Sequence, residues 1–287
     1  MGYNLNRWTE KEDIFLKENF NKLSREEISK ILNRSKSSIS SRAFRLGIKN
    51  IKNGRINLFE KINSEESAYW LGFIYADGYI LINTENKNHC NYELGIELMK
   101  DDIHHLEKFN SIFDNYYNIK TRTRSMNSLD ILSDKEVSNR TKQTCQIRIY
   151  SKKIVIDLLN QDIVQNKTHS DVFPKIEDDE LFIHFLRGYI DGDGSYTIDK
   201  KGRLCISIEG NNLYCFNYII EKLYKSFNIK ASYYKDGECW KLQIRIKEDV
   251  IKLIDLMFEN ANIYLDRKYK KIIEMKKAVH NRNIMND

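Results

Sequence analysis

Two apolar runs that each end in Asp-Gly constrain this 287-residue chain more than any other feature: WLGFIYADG at 70–78 and FLRGYIDGDG at 185–194. Each reads as a helix that is apolar nearly all the way round, and such a helix has to be buried. Gly188 and Gly192 lie four apart, as do Gly72 and Ala76, so each helix carries a stripe of small residues along which another backbone can come close. Asp77 and Asp193 fall in the last turn, one residue before a glycine of the kind that stops helices. A carboxylate there sits at the wrong end of the helix dipole and beside a buried interface, so it is costly unless something positive compensates it. A divalent cation is the natural candidate, because hard cations take carboxylate and backbone carbonyl oxygens. If the helices pack through their stripes, Asp77 and Asp193 meet at one end of the seam. Paired carboxylates on metal ions are a means of hydrolysing phosphodiesters. One Ala-Asp-Gly alone reads as a helix stop. Two copies with matching apolar lead-ins read as a site.

The chain around these runs repeats. After the first come strand patterns at 79–82 and 92–99, a helix from Asp101 to about Phe113, strands at 118–124 and 144–150, and a helix at about 152–160. After the second come strands at 195–198 and 203–209, a helix at about 211–226, strands at 228–234 and 240–247, and a helix at 249–258. Asn118-Ile119-Lys120 recurs as Asn228-Ile229-Lys230, and Gln146-Ile147-Arg148-Ile149 as Gln243-Ile244-Arg245-Ile246. Two units in one order, with drifting offsets, indicate a duplicated domain with loop insertions and not a solenoid. Period-two alternation puts Ile147 and Ile149 on one face and Gln146, Arg148 and Tyr150 on the other. Ile244 and Ile246 likewise oppose Gln243, Arg245 and Lys247, while Lys120, Arg122 and Arg124 share a face. Glutamine can read adenine and arginine guanine in a major groove, so sheet faces of this type suit base readout.

Residues 7–48 read as three short helices. Thr9 with Glu12 and Ser24 with Glu27 form capping boxes. Trp8, Leu16 and Phe20, then Ile28, Ile31 and Leu32, then Ile39, Ala43 and Leu46 are the expected core. The third helix starts near Ser35, stops at Gly47, and turns Lys36, Ser37, Ser38, Ser41, Arg42 and Arg45 outward. Short hydroxyls and arginines on an exposed helix suit phosphates and major-groove edges.

WLGFIYADG and LRGYIDGDG resemble the nine-residue motif that names the LAGLIDADG homing endonucleases. The resemblance implies an α+β fold of two pseudo-symmetric αββαββα halves with the motif helices at their interface. It also implies saddle-shaped sheets on double-stranded DNA, and cleavage with Mg2+ or Mn2+ at a long pseudo-palindromic target. The metal ligands it implies are Asp77 and Asp193, with the carbonyls of Ala76 and Gly192. The first acid of the motif is Asp191 in the second copy but Tyr75 in the first, a departure at a non-catalytic position. Lys247, where the last strand of the second half meets its helix, is carried over as a catalytic auxiliary. Residues 7–48 resemble Myb-like and helix-turn-helix modules, with the third helix as recognition helix. The expected layout is therefore a DNA-binding module at 1–48, a linker at 49–64, one half at 65–165, an inter-half linker at 166–178, and a second half with a C-terminal helix at 179–287.

Composition narrows the alternatives. Of the net +6, all is carried by residues 1–60, which hold 13 Lys and Arg against 7 Asp and Glu; the remainder balances at 34 and 34. A basic balance favours polyanions but says nothing of sequence preference. No run approaches the ~18 apolar residues of a membrane span. Five scattered cysteines without a CxxC read as reduced core thiols. The expectation is a monomer without membrane contact, in a cytoplasm or organellar matrix and not secreted. Two further readings keep the scaffold: an intron RNA maturase bound to its host intron, and a DNA-binding regulator without chemistry. An intein is rejected, because Arg282 after Val279-His280-Asn281 is no acceptor nucleophile.

Overall fold

The computed structural model describes residues 7–20, 23, 25–48, 57–83, 91–125, 141–167 and 170–285, with side chains described except at 124, 125, 141, 142 and 278–285. The chain forms two units, Met1–Asn57 and Leu58–Asp287.

In the first unit, α1 (Glu10–Asn19), α2 (Arg25–Leu32) and α3 (Lys36–Arg45) surround Leu16, Phe20, Ile28, Ile39 and Ala43. Thr9 and Glu12 cap α1 reciprocally, and the Ser35 hydroxyl caps α3 by accepting from the Ser38 N–H. Ser24, of the second expected box, lies outside the described residues. Ile31 is 57% exposed, against expectation. So small a bundle leaves α2 one narrow buried edge, which Ile28 and Leu32 fill four residues apart.

The second unit is the expected duplication. Its first half runs α4 (Glu65–Asp77), β1 (Gly78–Asn83), β2 (Asn91–Met99), α5 (Ile103–Ser111), β3 (Ile119–Ser125), β4 (Thr141–Tyr150) and α6 (Lys152–Asn160). The second runs α7 (Asp179–Asp193), β5 (Gly194–Ile198), β6 (Leu204–Gly210), α8 (Leu213–Phe227), β7 (Ser232–Asp236), β8 (Cys239–Ile244) and α9 (Lys247–Phe258), followed by α10 (Asp266–Met285). Each half has one antiparallel four-stranded sheet, ordered β1-β2-β4-β3 and β5-β6-β8-β7.

The pairing register corrects the repeat. Gly78 pairs with Ile96, which pairs with Ile147; Gly194 pairs with Ile208, which pairs with Leu242. Ile147 therefore corresponds to Leu242 and Arg148 to Gln243, so the two Gln-Ile-Arg-Ile strings are offset by two residues in space. Asn228 takes a left-handed conformation (φ 50°) as the C-cap of α8, so the strand expected at 228–234 begins only at Ser232. Arg245 and Ile246 lie beyond β8, and Ile246 is 44% exposed where an inward side chain was expected.

Described residues of both expected linkers are packed within the second unit. Phe59 is fully buried and Glu60 pairs with Lys153 at 2.8 Å. Phe173 is buried against Tyr75, Phe185 and Tyr218. Cys145 and Cys215 are buried free thiols as expected, whereas Cys239 is exposed on the short β8; Cys90 lies outside the described residues.

The helices α4 and α7 meet through glycine. A Cβ on Gly72 would stand 2.0 Å from the Phe185 carbonyl oxygen, and one on Gly188 2.0 Å from that of Tyr69. Gly192 faces the methyl of Ala76, where an added Cβ would stand 2.1 Å away. Backbone this close to backbone leaves nothing that a rotamer change could move aside. Gly78 and Gly194 are extended (φ −85° and −93°), not the left-handed stops expected; a Cβ on either would strike the Ile74 or Ile190 carbonyl one turn back. Gly188→Ala is expected to force the helices apart and cost at least about 1–3 kcal/mol, read as a lowered denaturation midpoint.

Candidate active site and nucleic-acid interface

The seam ends where Asp77 and Asp193 end α4 and α7. The point at which a Gly192 Cβ would sit is 3.4 Å from Asp77 Oδ2, so the Asp77 carboxylate leans on the residue preceding Asp193. Desolvation pushes both carboxyls up, Asp193 to about 6, with the Asp77 charge as the second cause there. Among the described residues neither carboxylate accepts a hydrogen bond.

The compensating charges are two lysines that the sequence reading did not single out. The Lys167 ammonium donates to the carbonyls of Ile74 (2.7 Å), Ala76 (2.8 Å) and Gly78 (2.5 Å). Lys268 does the same for Ile190 (2.7 Å), Gly192 (2.9 Å) and Gly194 (2.7 Å). Each ammonium has three protons and spends all three on the last turn of one motif helix. Positive charge at a helix C-terminus complements the dipole. Burial brings each lysine down to about 8, while Asp77 and Asp193 pull both up. Lys247, the residue expected to assist, opens α9 at an exposed position and is not among the charges acting on either aspartate. Lys167 lies in Gln-Asn-Lys and Lys268 in Asp-Arg-Lys-Tyr, two settings with no common motif. Only the requirement for a charge at each helix end pointed to them.

These residues suit a divalent cation in part. A half-buried carboxylate and an exposed one, both without hydrogen-bond donors among the described residues, are a hard-ligand pair, and the carbonyls of Ala76 and Gly192 lie beside them, each already accepting from a lysine. No cluster of three or more His, Cys, Asp or Glu occurs among the described residues. Oxygens from outside the protein would have to complete any coordination shell.

The first-acid positions differ as the sequence indicates. Asp191 is fully buried and accepts from the Tyr69 hydroxyl and the Leu265 N–H, both at 2.8 Å. With its proton given to Asp191, the Tyr69 oxygen accepts a hydrogen bond from His105 Nε2 (3.1 Å), on a ring that burial holds neutral by lowering its pKa to about 3. At the equivalent place Tyr75 packs edge-on against Phe173 and Tyr189, and the Lys167 ammonium stands 5.8 Å from its ring centre. Buried Arg187 joins the helices at their other end, donating to Glu65 of α4 and to the carbonyls of Met257 and Ile263.

Away from the seam helices, each sheet shows a polar face. Lys120 and Arg122 are exposed on β3, opposite Gln146 and Thr144; Arg124 holds the next position on that face. Gln146 and Gln243 are nearly buried, whereas Arg245 is exposed. On the second sheet Ser195, Thr197, Cys205, Ser207, Gln243 and Arg245 line a hollow of about 350 Å3. In the first unit Ser41 and Arg45 are exposed and Ser38 is half-buried. Lys36 pairs with Glu26. Arg42 is turned inward, bidentate on Asp13 of α1 at 2.7 and 2.5 Å, and so braces the bundle. Phe44, 86% exposed beside Arg45, was not anticipated.

Residues 181–257 match the LAGLIDADG-like domain. A double mutant of I-SmaMI shares 16% identity with a TM-score of 0.52 over 75% of this chain and 91% of that one. The homing endonuclease I-WcaI bound to its DNA recognition sequence shares 16% identity, TM-score 0.51, over 72% and 87%. The LAGLIDADG homing endonuclease I-GzeII in complex with its DNA target shares 14% identity, TM-score 0.50, over 76% and 91%. The chain thus has the fold of the single-chain, two-motif homing endonucleases.

A carboxyl raised above its unfolded value destabilises the native state once it is ionised, from pH values near the unfolded pKa upward. Asp193→Asn is therefore expected to raise Tm at pH 7 in EDTA. Discounted for the solvent reaching this side chain, the gain is about 1 kcal/mol or about 2–4 °C. A fall in Tm by calorimetry would contradict this electrostatic account.

Proposed function

We propose that the chain is a site-specific, double-strand DNA endonuclease that uses a divalent metal, Mg2+ or Mn2+. The observation that carries this reading is the convergence of Asp77 and Asp193 at the end of the α4–α7 seam, in a fold whose solved examples include homing endonucleases bound to DNA. Two motif helices with one acid each match the task of cutting two strands.

In this reading Asp77 and Asp193 hold the metal, with the Ala76 and Gly192 carbonyls as auxiliary oxygens. When bound, such ions activate water and stabilise the leaving oxygen of a phosphodiester. Lys167 and Lys268 hold the two helix ends, and with them the aspartates, in place. They also keep positive charge where a scissile phosphate would approach. The first sheet carries Lys120, Arg122 and Arg148 toward the duplex, with Arg124 at the next register position of β3 and Arg245 just past the end of β8, residue types suited to phosphates and base edges. One chain supplies both acids and both sheets, so a monomer suffices. The first unit adds a DNA-binding module through α3, where Ser41, Phe44 and Arg45 form the free surface.

Two experiments test this. On a plasmid library carrying randomised inserts, wild type is expected to cut at one long site in Mg2+ and not in EDTA. Asp77→Asn and Asp193→Asn should each reduce double-strand cutting to background while retaining affinity, because carboxylates that serve metals contribute little to recognition. Wild-type cutting in both variants would remove the assignment. Deleting residues 1–57 is expected to weaken binding and to flatten the salt dependence by roughly one unit of slope per lost phosphate contact. An unchanged slope in a binding titration would exclude the module from the interface.

A further inference from the structure

On the polar face of the first sheet, four side chains form a closed arrangement. The Tyr79 hydroxyl donates to Glu93 Oε1 at 2.8 Å and accepts from Gln146 Nε2 at 3.1 Å. Gln146 Oε1 accepts from Arg148 Nε at 2.9 Å, and the same nitrogen stands 3.4 Å from Glu93 Oε1. The donor and acceptor sequence fixes the Gln146 amide in one orientation. The Tyr79 ring lies against Gly95, where an added Cβ would stand 2.2 Å from Cζ, so the ring has a seat that any other residue would close. Burial and the Glu93 carboxylate raise Tyr79 to about 12, which keeps it a donor at physiological pH.

Exposure within the group is unequal. Gln146 and Glu93 are 4% and 8% exposed, while the Arg148 side chain keeps 37% of its surface open. Of the two readers expected on this strand, Gln146 is therefore support, and the Arg148 guanidinium is the part that can reach a partner. Glu93 cancels the charge of Arg148 at close range. A guanidinium so neutralised gains little from a phosphate but keeps its planar fork, which matches the O6 and N7 acceptors of guanine. A reader held within small tolerances by its neighbours discriminates better than a free one.

The second half has no counterpart. In register, Tyr79 and Gly95 are replaced by Ser195 and Ser207, whose hydroxyls bond to each other at 2.8 Å, and Arg148 is replaced by Gln243. Where the first sheet holds a ring and a carboxylate, the second has its hollow.

We propose that Arg148 reads a guanine in the half-site under the first sheet, and that Tyr79, through Glu93 and Gln146, is its positioning residue. The inference rests on the DNA-reading function above. The test is selection of full-length protein on a random 30-base-pair duplex library in Ca2+, for wild type, Tyr79→Phe, Glu93→Gln and Arg148→Ala. Tyr79→Phe removes one hydroxyl and leaves the ring in its seat, so folding is preserved. The expected result is a wild-type consensus with a guanine preference that Arg148→Ala abolishes. Tyr79→Phe and Glu93→Gln should reduce it about tenfold at that base pair alone, within the discrimination one bidentate contact provides. A merely structural role would weaken all positions together and overturn the proposal. So would a preference lost in Arg148→Ala but intact in Tyr79→Phe and Glu93→Gln, or a consensus untouched by Arg148→Ala. A wild type that selects no consensus would overturn the sequence-specific function itself, and this inference with it.

Discussion

Everything in the second unit depends on two helices touching backbone to backbone. Gly72 and Gly188 give up side chains so that each helix can meet the carbonyl edge of the other. That approach sets the separation of the helix ends, and so the separation of the two aspartates. It also concentrates unfavourable electrostatics, since two helix C-termini and two carboxylates converge. The structure answers with two ammonium groups, each tied to three carbonyls of one helix end. An acid pair with raised pKa values, kept in place by packing elsewhere, is the usual bargain of a reactive site.

Around this seam the halves are alike in topology and unlike in chemistry. Asp191 is tied to Tyr69 and to the chain just before α10, whereas Tyr75 packs among aromatic rings beside Lys167. The first sheet holds an arginine in a pre-arranged group and the second leaves a hollow lined by hydroxyls. Pseudo-symmetry thus governs the backbone, and the side chains have diverged on it.

The sequence made the motif helices, their stripes and their terminal aspartates legible, because all three are local patterns with a period that physics fixes. Strand faces were legible as well, even though the aligned strings were wrong. Gln146-Ile147-Arg148-Ile149 and Gln243-Ile244-Arg245-Ile246 are two residues out of register, and an even slip leaves the residues still within the strand on their own faces, while Ile246 falls past the end of β8 and is exposed. Three things were not legible. The left-handed Asn228 delays β7, a turn choice that strand propensity does not reveal. Arg42 looks outward by helical phase yet reaches back to Asp13, since a long side chain does not follow its Cβ. Lys167 and Lys268 lie 90 and 75 residues beyond the aspartates they serve, and no spacing in the chain connects them.

That last separation also has a temporal meaning. During synthesis the first motif helix and its lysine emerge before the second motif helix exists, and Lys268 emerges only after α9 is complete. An unfinished chain can hold one acid and its counter-charge, but not the pair. Whatever the paired aspartates do, the ribosome releases that capacity only near the close of translation of this unit, when the earlier parts are already available to fold.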